Sequence, residues 1–260
     1  MMNINEKDNH LAIGHHENSS GRMMKRIITG VLVLLMLGIV GYLIAQHFLT
    51  ETRQEELFRQ HFNELAISTT PISKEQRDEY QVAPDRPRYI YIPTISVNQA
   101  RVLALGLKAA GVDGRQQLDV PKNIDDVGWY DCGINPVAKK RCDQPTLPGA
   151  GDTETAAMLT GHTCFSRSMS CVFDKLSRLK RGDTITIELG SGEKINYVVH
   201  QVEILKLTDV DMAKAMRPIE PNKEGLTLIT CAGTYRGAVD ADGVPTADKR
   251  VLVYAVRVGE

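Results

Sequence analysis

The sequence lacks any excess of positive charge. Its 260 residues carry 31 Lys and Arg against 32 Asp and Glu, which gives a formal net charge of −1 and an isoelectric point near 6.7. Because phosphate backbones are bound by clustered cations, this balance argues against a nucleic-acid surface. Internal repeats and low-complexity tracts are also absent. With 42% hydrophobic residues, the sequence predicts an ordinary globular protein with room for one good-sized core.

Charge is missing altogether from the run Ile27–Ala45, which is nineteen residues long. At about 1.5 Å per residue, a helix of this length spans roughly 30 Å, the thickness of the hydrocarbon layer of a membrane. The sequence therefore predicts one membrane-spanning helix over residues 27–47.

Basic residues Arg22, Lys25 and Arg26 flank the N-terminal end of this run. By the positive-inside rule they place residues 1–26 in the cytoplasm, as a disordered tail, and the rest of the chain outside the cell. A cleaved signal peptide is the alternative, but the bulky, charged sequence QHFLTETRQ that follows offers no small-residue cleavage site. We therefore expect a single-pass protein of the cell membrane.

Residues 48–87 are mostly polar and predict a stalk and a linker. Residues 51–65 read as a polar helix with four apolar residues at helical spacing. Residues 68–87 contain three prolines and many charges, which leave little to pack. The folded domain is predicted over residues 88–260.

Short strand patterns joined by glycine and proline turns dominate the rest of the chain, which favours an all-β barrel or sandwich. One helix is predicted between Cys171 and the stop signal Gly182. The strand patterns are residues 88–93, 100–106, 156–162, 183–189, 194–205, 226–231 and 249–258.

The chain has five cysteines, an odd number for an oxidising exterior. Cys132 with Cys142, and Cys164 with Cys171, bracket short polar segments. Each such ring would restrain the unfolded chain by roughly 2.5 to 3 kcal/mol, although four cysteines allow three pairings. Cys231 is left over. A buried structural thiol is the ordinary interpretation of a lone cysteine, but a free thiol kept outside the cell points to nucleophilic catalysis.

Cys231 ends a strand pattern, and a thiol nucleophile needs a base nearby. Two histidines lie in the predicted domain: His162 ends a strand pattern, as Cys231 does, whereas His200 lies mid-strand and is expected to be a sheet-surface residue. The third candidate is a cation for a developing oxyanion. Arg250, at the start of the last strand, is preferred over Arg236, which is also explained as a loop surface charge.

At these residues the chain resembles the sortases, a family of membrane-anchored cysteine transpeptidases. The matching motifs are LTGH with His162, LTLITC with Cys231 and KRVLVYA with Arg250, in the order and spacing of that family. The resemblance spans residues 88–258, and LDVPKNIDDVGWY looks most like the class F members.

The resemblance implies an eight-stranded β-barrel with short helices, without cofactor or metal. It implies that Cys231 attacks the Thr–Gly bond of an LPXTG-like sorting signal and forms an acyl-enzyme. His162 would protonate the leaving amine and then activate the incoming one, while Arg250 steadies the oxyanion. The implied partners are sorting signals of surface proteins, an amine acceptor such as a cell-wall precursor or a pilin lysine, and membrane lipid.

Two cysteine-containing segments depart from the family pattern. The segment around Cys132 and Cys142 is either a lid over the cleft or a stapled surface loop, and we favour the loop. The second pair begins two residues after His162, so a disulfide there is expected to hold the loop of the histidine. The aspartates of residues 239–248 weakly resemble a calcium loop but lack a closing Glu, which predicts a solvated loop.

The sequence bears on three other functions. A sortase-fold peptidase that mainly hydrolyses is not separated from a transpeptidase, because water and amine enter the same acyl-enzyme. A catalytically silent, membrane-tethered binding module is disfavoured by the presence of His162, Cys231 and Arg250 together. An L,D-transpeptidase is disfavoured because the residues just before Cys231 include no histidine.

Overall fold

A computed structural model describes residues 19–106, 118–131, 146–166, 168–235, 237–240 and 242–259. The chain divides into two compact units, Met1–Glu51 and Thr52–Glu260. In the first unit the described residues belong to helix α1 (Ser19–Glu64), which continues into the second unit. Residues 23–64 of this helix are long and apolar enough to cross a membrane. Because α1 begins at Ser19, the end of the predicted disordered tail is helical; residues 1–18 lie outside the described part of the chain.

Within the described residues of the second unit, eight strands form a closed barrel in the order β1-β2-β3-β4-β7-β8-β6-β5. The all-β prediction is therefore confirmed, and all seven strand patterns correspond to strands. The unpredicted strand is β3, whose four residues are too few to show an alternating pattern. The strands are β1 (Pro87–Ile92), β2 (Val97–Leu105), β3 (Val127–Tyr130), β4 (Ala157–Gly161), β5 (Thr184–Leu189), β6 (Lys194–Lys206), β7 (Gly225–Ala232) and β8 (Lys249–Val258).

The barrel interior holds the main apolar core. Strand β5 shows how the sequence fills it, because Ile185, Ile187 and Leu189 alternate inward while the residues between them are more exposed. Trp129 and Tyr197 are almost completely buried in the same cluster. Each large apolar side chain buried in this way stabilises the fold by about 1.5 to 3 kcal/mol.

The prediction of a helix between Cys171 and Gly182 is wrong. The segment contains only a short 3-10 helix, Leu176–Arg178, with hydrogen bonds from each amide to the carbonyl three residues earlier. Three residues per turn align Phe173, Leu176 and Leu179, and all three are buried in the barrel core. The apolar spacing that predicts an α-helix is satisfied here by this tighter turn.

The compact unit begins at Thr52, earlier than the predicted boundary at Arg88. The segment is polar on average, but Phe58, Phe62, Ile67 and Ile72 are all less than 10% exposed. The side chains of Phe58, Phe62 and Ile67 pack with the loops at one end of the barrel, and the short helix α2 (Lys74–Asp78) follows Ile72. The predicted stalk and linker are thus largely part of the folded unit, because a few buried apolar side chains are enough to pack a mostly polar segment against the barrel.

Candidate active site

The three candidate residues lie at one edge of the barrel. Strands β4 and β7 are parallel neighbours, paired from Ala157 with Leu226 to Thr160 with Ile229. Continuing this register by two residues brings His162 level with Cys231. Strand β8 runs antiparallel to β7, with Arg250 directly opposite Cys231. Opposite residues of an antiparallel pair project from the same face, so the ladder itself brings the thiol and the guanidinium together.

A cleft of about 440 Å³ opens at this edge. Cys231 is half-buried in it and is a free thiol. The chain turns away directly after β7 at Gly233, where φ is 83° and a Cβ atom would strike the Asp248 carboxylate. The cleft is lined by His61, Leu65, Leu118, Val120, Tyr130, Met158, Thr160, Gly161, His162, Met212, Met216, Ile229, Thr230, Cys231, Asp240, Thr246 and Arg250.

His162 is 8% exposed, and its ring nitrogen Nε2 lies 2.7 Å from the carbonyl oxygen of Pro121. A carbonyl only accepts, so Nε2 carries a proton and the neutral ring keeps its basic lone pair on Nδ1. Burial lowers the pKa of His162, and the nearby Lys122 ammonium lowers it further. The imidazole is therefore neutral at pH 7, with the lone pair on Nδ1 available to accept a proton.

Arg250 is anchored by the loop that precedes β8. Its Nη1 donates to the carbonyl oxygens of Ala247 and Lys249, each at 2.8 Å, and Nη2 donates to the Thr246 hydroxyl at 3.2 Å. These contacts engage three of the five guanidinium N–H donors. The loop thus fixes the orientation of the guanidinium at the cleft wall.

A chain of hydroxyl groups connects the strand ends beneath the cleft. The buried Thr230 donates to the carbonyl oxygen of Gly161 at 2.7 Å, and the Thr163 hydroxyl lies 2.7 Å from that of Thr230. Thr230 precedes Cys231, while Gly161 and Thr163 flank His162. These hydrogen bonds therefore connect the backbone next to Cys231 to the backbone next to His162.

A family model for the sortase domain matches residues 90–258, well over half of the chain. The chain belongs to the sortase family. Among solved structures, it is similar to sortase C-1 from Actinomyces oris, with 22% identity and a TM-score of 0.43, over 81% of this chain and 99% of that one. It is also similar to sortase A from Corynebacterium diphtheriae, with 21% identity and a TM-score of 0.42, over 84% of this chain and 92% of that one. No curated protein sequence matches the chain.

One cysteine pair that departs from the sortase pattern lies beside the cleft. Cys164 and Cys171 form a disulfide, one of the pairings that the sequence leaves open. Asp174 holds the same loop, because its carboxylate accepts from the amides of Cys164 and Cys171 at 2.6 and 2.9 Å. The amide of Phe173 donates to the carbonyl oxygen of His162 at 3.0 Å, so the loop also contacts the histidine directly.

Three residues of the sequence analysis lie outside the described residues: Cys132, Cys142 and Arg236. The pairing of the first two and the alternative arginine stay predictions. In the loop that weakly resembles a calcium site, the Asp240 carboxylate accepts from the amides of Asp242 and Val244, each at 2.9 Å.

Sequence patterns do not single out His61, which lines this sortase cleft, or Tyr235, which lies near Cys231. His61 falls within the predicted stalk, yet it is 7% exposed and lines the cleft. Tyr235 is 3% exposed, and burial together with the nearby Cys231 raises the pKa of its hydroxyl. The helical apolar spacing of Phe58 and Phe62 was the available signal for His61, since it predicts a helix face with a packing partner.

Proposed function

We propose that this sortase is a membrane-anchored cysteine transpeptidase. It cleaves an LPXTG-like sorting signal between Thr and Gly and transfers the acyl group to an amine at the cell surface. The observation that carries the proposal is the meeting of Cys231, His162 and Arg250 at the adjoining ends of β4, β7 and β8, around one cleft.

The first half-reaction forms the acyl-enzyme. The Cys231 sulfur attacks the carbonyl carbon of the substrate threonine, and the thiol proton passes to the neutral His162 imidazole. The Arg250 guanidinium donates to the oxygen that becomes negatively charged. As the tetrahedral intermediate collapses, the C–N bond breaks, and the His162 imidazolium gives its proton to the departing glycine amine. The product is a thioester on Cys231.

The second half-reaction transfers the acyl group. His162, neutral again, takes a proton from the incoming amine, whose nitrogen attacks the thioester carbonyl. The C–S bond then breaks, and the Cys231 thiol is regenerated when the proton returns to sulfur. Water entering in place of the amine gives hydrolysis, so the balance of the two outcomes depends on which nucleophile reaches the thioester.

The walls of the cleft favour a substrate with apolar side chains. Met158, Met212, Met216 and Ile229 line it on the side of the short helix α3 (Met212–Ala215). Methionine side chains adapt their shape to different apolar partners. This lining suits the leucine and proline of an LPXTG-like signal.

The N-terminal helix supports a location at the membrane. We propose that residues 27–47 span the bilayer, with residues 1–26 in the cytoplasm and the barrel outside. The basic residues before the span support this orientation. Within the family, the segment LDVPKNIDDVGWY supports a placement among the class F sortases.

The test is product mass spectrometry on the full-length protein in detergent micelles. An LPXTG-type peptide is incubated with wild type and with Cys231→Ala, each with and without a glycine amine. We expect cleavage between Thr and Gly, a ligated product when amine is present, and neither product from the variant.

The other outcomes redirect the proposal. Cleavage without ligation would favour the hydrolase. Absence of cleavage and of any adduct across a panel of related signals would contradict the transpeptidase and favour the silent binding module.

A further inference from the structure

The lining of the cleft has an apolar part and a polar part. Six lining residues belong to one apolar cluster: Leu118, Tyr130, Met158, Met212, Met216 and Ile229. The loop between β7 and β8 contributes polar groups instead, the Asp240 carboxylate and the Thr246 hydroxyl. The proposed function assigns the apolar part to the leucine and proline of a sorting signal. The polar part is then available to the second substrate, the amine.

Asp240 is the only carboxylate among the described residues that line the cleft. Burial lowers the pKa of both His61 and His162, so neither ring carries a positive charge at pH 7. Arg250 supplies the positive charge of the cleft. A primary amine is mostly an ammonium ion in water at this pH. An amine acceptor that enters the cleft therefore meets one group of opposite charge, Asp240.

Hydrogen bonds fix the direction of the Asp240 carboxylate. Its Oδ1 accepts from the amides of Asp242 and Val244, each at 2.9 Å. The backbone is held as well, because the Asp240 amide donates to the Val244 carbonyl oxygen at 2.9 Å. The second carboxylate oxygen, Oδ2, has no donor within the described part of the chain. Asp240 thus offers a fixed acceptor atom to a ligand in the cleft.

The loop that carries Asp240 also anchors Arg250. The amide of Thr246 donates to the carbonyl oxygen of Ala238 at 2.9 Å, which closes the loop on itself. The Thr246 hydroxyl in turn accepts from Nη2 of Arg250 at 3.2 Å. One loop therefore presents a carboxylate to the cleft and holds the guanidinium that steadies the thioester carbonyl in the proposed function.

Asp240 attracts an ammonium ion, whereas Arg250 repels it. An ammonium that donates to Oδ2 is in direct contact with the carboxylate, while the guanidinium forms no ion pair with Asp240 among the described residues and donates to the loop instead. Because the Coulomb energy falls with distance, the contact with the carboxylate outweighs the repulsion.

We propose that Asp240 selects the amine acceptor of this sortase by binding its ammonium form beside the thioester on Cys231. The inference deepens the proposed function, on which it rests, because it identifies the group that recognises the second substrate. The acceptor that fits is a primary amine with a positive charge in water, such as an N-terminal glycine or a lysine side chain.

The bound ammonium carries one proton more than the amine that attacks. This proton passes to water when the nitrogen leaves Oδ2 for the thioester carbon. The neutral amine then attacks with His162 as the base, the C–N bond forms, the C–S bond breaks, and the second proton returns through His162 to the Cys231 sulfur. Asp240 itself exchanges no proton, and its role is to bind the acceptor.

The experiment lets two nucleophiles compete for one thioester. Full-length protein in detergent micelles is incubated at pH 7 with an LPXTG-type peptide, glycinamide and hydroxylamine, and both ligated products are measured by mass spectrometry. Hydroxylamine is mostly uncharged at this pH. Wild type is compared with Asp240→Asn, whose side-chain oxygen still accepts from the amides of Asp242 and Val244 but carries no charge.

We expect the ratio of glycinamide product to hydroxylamine product to fall about tenfold in Asp240→Asn, because one charge-assisted hydrogen bond is lost. Asp242→Asn, an exposed change on the same loop that removes the same charge, is the matched control and should keep the wild-type ratio. Raising the salt concentration from about 50 mM to about 500 mM should lower the ratio in wild type but not in Asp240→Asn.

Both products come from the same thioester, so a slower or partly unfolded variant still reports the ratio. An Asp240→Asn ratio equal to that of wild type would contradict the inference alone. An equal fall in Asp242→Asn would assign the effect to the total charge of the loop and would also overturn it. A wild type that forms neither product would contradict the proposed function, and the inference with it.

Discussion

The two sides of the cleft are built in different ways. On one side, His162, Cys231 and Arg250 stand on three adjoining strands, and the pairing of β4, β7 and β8 sets their positions. On the other side, the residues at the end of α1 that include Phe58 and Phe62 are held by aromatic side chains and by contacts with loops. The strand side is set by backbone pairing along β4, β7 and β8, whereas the other side depends on a few side-chain contacts. The comparison teaches that one cleft can join a wall set by backbone pairing to a wall set by side-chain packing.

The largest loss of turnover rate is expected from a substitution on the strand side of the cleft, at His162. Replacing His162 by Gln keeps a donor for the Pro121 carbonyl but removes the base, so the turnover rate should fall roughly 10³-fold. His200→Gln, in the middle of β6, is the matched control and should leave the rate close to that of wild type. Peptide cleavage assays on both variants check this. Equal losses in the two variants would contradict the special role of the strand edge.

Arg250 is the next most sensitive position. Arg250→Ala should lower the turnover rate roughly 10²-fold, because an oxyanion donor is lost while the strand pairing stays intact. Lys249→Ala, one residue earlier and exposed, is expected to have little effect. Steady-state kinetics on the two variants give the comparison. Full activity of Arg250→Ala would move the oxyanion role to another cation, with Arg236 as the first candidate.

The hydrogen-bonded hydroxyls of Thr230 and Thr163 allow a test of whether side-chain contacts help to hold Cys231 and His162 in position. Thr230→Val removes the hydroxyl that donates to the Gly161 carbonyl, which costs about 1 to 3 kcal/mol of unfolding free energy. The turnover rate should fall about tenfold through misalignment of Cys231 and His162, with little change in KM. Thr230→Ser restores the hydroxyl and should restore the rate. If the serine variant stays as slow as the valine variant, the hydroxyl is not what positions the thiol.

The disulfide lies where the two sides meet and should give the smallest effect on the rate. In the Cys164→Ser, Cys171→Ser double variant the Asp174 carboxylate still holds the loop, so the protein should fold. We expect a loss of several-fold in activity at a temperature where the variant remains folded, because the loop after His162 is less restrained. Circular dichroism and peptide cleavage are measured on the same samples under oxidising conditions. Activity that falls only in step with the folded fraction would contradict a link between the disulfide and His162.

Much of the barrel was predictable from the sequence, because the alternation of strands such as β5 and β7 records which side chains face the core. Strand β3 was missed since four residues carry too little alternation, and its place between β2 and β4 depends on long-range pairing. The segment after Cys171 was assigned to an α-helix because an apolar spacing of three or four residues is shared by α-helices and 3-10 turns.

Local sequence patterns predict the residues on the strand side of the site, but not those at the end of α1 on its other side. Cys231, His162 and Arg250 each stand next to a strand end, a position that local pattern shows. Their meeting depends on β4 and β7 being neighbours, which no local pattern contains. His61 lies about a hundred residues before His162 in a segment of polar composition, and only the packing of Phe58 and Phe62 brings it to the cleft.

The most direct test of the central claim is intact-protein mass spectrometry of the covalent intermediate. Full-length protein is mixed with an LPXTG-type peptide without added amine, quenched in acid within seconds, and digested to locate the adduct. The account predicts an adduct with the mass of the peptide up to threonine, on Cys231, that disappears when a glycine amine is added. A stable adduct on another residue, or peptide cleavage that persists in Cys231→Ala, would contradict it.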